Sequence, residues 1–182
     1  MKKLSDYFYR VASWKFFLVV LAVYMAFGAF ILPNAEKAIY RAAGSDVGII
    51  DLGVGFDTDK IQQQVAAYGD AGRSLYRTTE LTMDVAYPIT YGLLFSLVLT
   101  LLLKQAGNTG SRLNLIPAFG VACDFIENAW IISLLTMYPT TNATIALLLA
   151  VFRTLKWLSL AGIIAVTFYL LGKILLDKIR PA

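Results

Sequence analysis

The sequence predicts an all-α membrane protein: a bundle of four transmembrane helices with both termini inside and a small helical extramembrane cap between spans one and two. Three observations carry this. The 182 residues are 58% hydrophobic with a mean hydropathy of +0.66, too apolar for a soluble domain of this size. Four apolar runs, at 16–32, 81–103, 115–137 and 145–171, each approach the roughly 20 residues that a spanning helix needs. The basic residues also segregate: nine fall in the N-terminal segment, the 104–112 turn and the tail, against five between spans one and two, where six acids offset them. The positive-inside rule therefore places both termini in the cytoplasm, in the cell (inner) membrane.

Each element follows from local pattern. At 1–13, Leu4, Tyr7, Phe8 and Val11 recur at helical spacing opposite Lys2, Lys3, Asp6 and Arg10, as in a short interfacial helix. Span one (14–33) begins at Trp14 and Lys15, contains no ionisable residue in its apolar run and is expected to end before Pro33. No small-residue cleavage site follows it, so it reads as an uncleaved anchor.

The cap (34–79) contains "DTDKIQQQVAAYG", with capping candidates Asp57 and Thr58, apolar Ile61, Val65 and Tyr68 on one face, and a stop at Gly69. A second short helix, feeding span two, is expected over "DAGRSLYRTTE". The piece is too small for its own core and should fold onto the bundle. Asp46, Asp51, Asp57 and Asp59 match no EF-hand spacing and read as caps and solvated acids.

Span two (80–104) places Glu80, Asp84, Tyr87 and Tyr91 on one face. Pro88 has no N–H to offer the carbonyl of Asp84, so a kink and a free carbonyl are expected there. Spans three (113–138) and four (143–173) are joined by "YPTTNAT", whose "NAT" fits a glycosylation acceptor, and the tail follows at 174–182. Short turns make spans two, three and four antiparallel neighbours.

The informative residues are the intramembrane charges. Asp124, Glu127 and Asn128 on span three, and Arg153, Lys156 and Trp157 on span four, each follow i, i+3, i+4 spacing and so form one compact face per helix. Residues facing each other across an antiparallel hairpin share a constant sum of positions. Asp124 with Lys156 and Glu127 with Arg153 share the sum centred on Thr140 in the turn. Both pairs are therefore expected, Glu127 with Arg153 roughly 15 Å and Asp124 with Lys156 roughly 19 Å below the turn. Each lone cation at mid-membrane would cost about 2.5–3.5 kcal/mol, which favours pairing. Such pairs serve either to set helix register or to build a functional site, and Asp84 has no obvious basic partner.

Cys123 is the only cysteine and histidine is absent, which excludes an intrachain disulfide, a Cys/His zinc site and His-ligated haem. No metal site and no cofactor is expected, and no nucleic-acid partner is indicated. GxSxG, HExxH and P-loop motifs do not occur.

The stretches "IDLGVGFDTDKI", "YGDAGRSLY", "DVAYPITYG", "DFIEN" and "FRTLKW" resemble a group of small, mostly bacterial four-span membrane proteins with an Asp-x-x-Glu-Asn motif in the third span. That resemblance implies the topology and assigns no catalytic residue.

The expected site comprises Asp84, Tyr87, Tyr91, Asp124, Glu127, Asn128, Arg153 and Lys156, and the expected ligand is a membrane lipid or amphiphile. Two other classes fit the same residues. One is proton or ion translocation through the unpaired acid, against which stands a lack of polar residues towards the inner side. The other is a non-catalytic accessory subunit of a larger membrane complex or a homo-oligomer. Enzymatic use of Asp124 or Glu127 as general acid or base is disfavoured, because pairing with Arg or Lys lowers a carboxyl's pKa.

Overall fold

The computed structural model describes residues 1–179; Arg180, counted above in the basic tail, lies outside the described residues. Among these, every regular element is helical: α1 (Lys2–Val11), α2 (Trp14–Ala26), a π-turn (Phe27–Ile31), α3 (Leu32–Ala43), α4 (Thr58–Ala67), α5 (Gly69–Gln105), α6 (Ile116–Met137) and α7 (Ala143–Ile179). Short 3-10 turns occupy Ile50–Leu52 and Leu113–Leu115. Four continuous helical stretches, Trp14–Ala43, Gly69–Gln105, Leu113–Met137 and Ala143–Ile179, are long and apolar enough to cross a membrane.

Capping side chains set several of these starts. Ser13 accepts from the Phe16 N–H at 3.2 Å, and Asp57 accepts from the Lys60 N–H at 2.9 Å. Asn142, the residue of the "NAT" pattern, accepts from the Ile145 N–H at 3.1 Å and opens α7. Met137 ends α6 just before Pro139, as the sequence predicts.

Two expectations are corrected. The first long helix does not stop before Pro33: the π-turn bonds the Leu32 N–H to the Phe27 carbonyl, and Pro33 then sits in the first turn of α3, where no intrahelical N–H is required. The segment "DAGRSLYRTTE" is not a separate short helix but the opening turns of α5.

The central element is α5. It packs against α2 and α3 on one side and against α6 and α7 on the other, while α6 and α7 form the most extensive helix pair. Gly92 lets α5 approach α6 closely, since a Cβ there would collide with Val121. The first and last long helices share no packed face, which leaves a cleft between them floored by α5.

Ile50, Ile61, Val65 and Tyr68 form one core with Ile131, Leu135 and Leu149 of the α6–α7 hairpin, so the 44–68 segment folds onto the helices. At the opposite end α1 docks through Ser5, Phe8, Tyr9 and Ala12, while Leu4 and Tyr7 face outward. Tyr9 donates to the Ser111 carbonyl at 2.9 Å, and Ser5 donates to Asn114 Oδ1 at 2.8 Å.

Candidate functional site

The charged residues of α6 and α7 converge as spaced faces should, with one change of partner. Lys156 Nζ lies 3.4 Å from Asp124 Oδ1, the expected pair, and 2.6 Å from Glu127 Oε2. Asp124 is completed on its other oxygen by the Tyr91 hydroxyl of α5, which donates to Oδ2 at 2.8 Å. One ammonium is thus shared by two carboxylates that are both withdrawn from the surface.

The expected Glu127–Arg153 pair does not form. Arg153 turns instead to the 44–68 segment, where Nη1 donates to the Ile50 carbonyl at 2.7 Å and Nη2 to the Gly55 carbonyl at 2.8 Å. A guanidinium is a planar fork that satisfies two carbonyls at once, whereas Lys156 supplies a point charge that two carboxylates can share. Gly53 is needed for this approach, because a Cβ there would stand 2.6 Å from Nη1.

The free carbonyl predicted at Asp84 exists and is used. Asn128 Nδ2 donates to it at 2.9 Å across the α5–α6 interface, while α5 continues as a helix through Pro88. Asn128 therefore repairs the backbone gap that proline leaves.

These side chains border a cavity of about 540 Å³ in the cleft between the first and last long helices. Of the expected site residues, Asp84, Tyr87, Tyr91, Asp124 and Lys156 line it. Glu127, Asn128 and Arg153 do not: they stand behind the wall and hold Lys156, the Asp84 carbonyl and the 50–55 backbone in place. The cavity is amphipathic. Glu36, Asp51, Asp84, Asp124 and Lys156 form its charged part, and Phe95, Trp157, Leu160 and Ile164 extend its apolar wall along α5 and α7.

Two contributors to the wall, Asp51 and Tyr24, were not expected, and Glu80 lies apart from it. Asp51, read as a solvated or capping acid, lines the cavity and accepts from the Tyr76 hydroxyl at 3.4 Å. Burial pushes its carboxyl up, against the opposing pull of the Lys156 ammonium. Tyr24, in a span read as lipid contact, stacks on Tyr87 with ring centroids 5.8 Å apart and an interplanar angle of 15°. Glu80 shares the face of Asp84 as predicted, but it is 1% exposed and neither carboxyl oxygen has a hydrogen-bond partner. The period of α5 is the sequence signal for Glu80; for Asp51 and Tyr24 no spacing rule exists, because their positions depend on tertiary packing.

The scarcity of polar groups expected beyond the charged cluster is also corrected. Ser96, Thr100, Asn114 and Ser5 are buried in succession towards the α1 end, and Asn114 donates to Thr100 Oγ1 at 3.1 Å. No protein-family model, no curated protein and no solved structure matches the chain.

Proposed function

We propose that this chain is an integral membrane protein whose cavity holds a lipid or another amphiphile, polar end among the charges and apolar tail along α5 and α7. The amphipathic lining of the cleft supports this reading above all: carboxylates and an ammonium at one end, and Phe95, Trp157, Leu160 and Ile164 along the wall. An amphiphile already in the bilayer reaches such a cleft sideways, between helices that do not pack together. In this reading both termini are cytoplasmic, the charged end lies in the outer half of the membrane, and the 44–68 segment caps it.

The test is mass spectrometry of lipids that co-purify in a neutral detergent. Wild-type protein carries about one amphiphile per chain, and Asp84→Asn and the cavity-filling Ala161→Phe each lose it at least fivefold. Equal lipid content in all three would overturn the reading.

Proton movement is a second reading, favoured by a specific observation. Glu80 is buried without a hydrogen-bond partner within electrostatic reach of Asp51, Asp84 and Glu127, and the Ser96–Thr100–Asn114 series extends buried polar groups towards the other end. Proteoliposomes under an imposed pH gradient should then dissipate it faster than protein-free vesicles, and Glu80→Gln should abolish the difference. Equal rates with and without protein remove this reading.

A further inference from the structure

The charges on the cavity wall are unequal, and this selects a head group. Glu36, Asp51, Asp84 and Asp124 line the cavity, whereas Lys156 is the only basic residue among the described residues that does so. Lys156 is already committed to Asp124 and Glu127, and the nearby Arg153 is committed to two backbone carbonyls. An anionic head would therefore meet no free counter-charge. Asp51 and Asp84 are in no ion pair among the described residues, and a cation seated between them would hold both carboxyls in their ionised form.

The aromatic rings supply a second, independent preference. Tyr87 lies one helical turn after Asp84, stacks on Tyr24, and has its ring 5.5 Å from that of Tyr91. Trp157 already stands 5.8 Å from the Lys156 ammonium. Rings beside carboxylates in a water-poor cavity favour cations, most of all alkylated ammonium groups, whose diffuse charge costs little to desolvate and interacts with π-faces. The volume of about 540 Å³ falls within the range of about 300–1,000 Å³ typical of small-molecule sites and suits one chain. Ile164 at the apolar wall is 54% exposed, so a tail can pass out between the helices.

We propose that the occupant is a single-chain amphiphile with an alkylammonium head, seated between Asp51, Asp84 and the rings of Tyr24 and Tyr87, with its tail along Phe95, Leu160 and Ile164. This rests on the reading of the cavity as an amphiphile site and adds the charge of the head.

The experiment compares heads on one tail. Protein in a neutral maltoside detergent is titrated with dodecyltrimethylammonium, dodecyl sulfate or dodecanol, and retention is counted by native mass spectrometry. Dodecyltrimethylammonium is retained one per chain, at least tenfold more tightly than the other two. Asp84→Asn weakens it about tenfold, Tyr87→Leu, which leaves the charges intact, weakens it roughly fivefold, and the exposed Asp59→Asn has no effect. Circular dichroism checks that each variant is folded, and either cavity variant suffices if the other is not. Equal retention of all three heads, or preference for the sulfate, overturns the ammonium assignment while leaving an amphiphile cavity intact. Retention of none, with no co-purifying lipid, overturns both.

Discussion

At the scale of single residues, the site depends on how each buried polar atom is satisfied. Asn128 is the clearest case, because its partner is a carbonyl made available by Pro88 one turn further along α5. Replacing Asn128 with Leu leaves that carbonyl buried and unpaired, at a cost of about 1–3 kcal/mol. In a Pro88→Ala background residue 88 regains an N–H and can satisfy the carbonyl itself, so the same replacement should cost at least about 1 kcal/mol less. A double-mutant cycle by denaturant titration in mixed micelles measures this; strictly additive effects would contradict it. The same scale explains what was legible. Asp124 and Lys156 meet because a constant-sum register brings them together in any tight antiparallel hairpin. Glu127 and Arg153 obey the same register and still do not pair, because a long guanidinium finds two carbonyls in a segment whose place no local rule predicts.

Among the elements, the 44–68 segment owes its position to an internal tie and to side chains reaching it from the long helices. Tyr68 donates to the Gly48 carbonyl at 2.7 Å, Tyr76 accepts from the Ile50 N–H at 3.1 Å, and Arg153 holds the Ile50 and Gly55 carbonyls. Hydrogen bonds from a charged donor contribute about 1.5–3 kcal/mol each, so Arg153 is the strongest of these ties. Arg153→Gln should raise amide hydrogen exchange across residues 47–56 at least tenfold while exchange in the middle of α5 and α6 stays unchanged. Uniform acceleration throughout the chain, or none, would show that the segment is held otherwise. Helix positions were readable from hydropathy, but continuity was not: Pro33 reads as a break, and the π-turn absorbs it. Gly69, with φ of +62°, ends α4 as expected and passes the chain directly into α5.

For the whole molecule, the decisive arrangement is a set of helices in which α5 contacts all the others while the first and last stay apart. That geometry opens the amphipathic cleft, and the charge trio on α6 and α7 shapes its polar end. Periodicity showed that polar faces exist on α5, α6 and α7; it did not show that Asp51 and Tyr24 complete the wall, since those contacts join parts of the chain with no shared register. Wall and trio are coupled, because Lys156 both lines the cavity and pairs with the two acids behind and beside it. Truncating Lys156 strands two buried carboxylates, whereas removing all three charges strands none. In such a triple variant Asp124→Asn keeps an acceptor for the Tyr91 hydroxyl, and Glu127→Met removes a carboxylate whose one ion pair among the described residues is with Lys156.

The most direct test is the unfolding free energy of Lys156→Met against that of Lys156→Met/Asp124→Asn/Glu127→Met, measured side by side in the same micelles. The account predicts a loss of about 3–5 kcal/mol for the single variant and recovery to within about 1–2 kcal/mol of wild type for the triple. A single variant as stable as wild type, or a triple variant as unstable as the single, would contradict it.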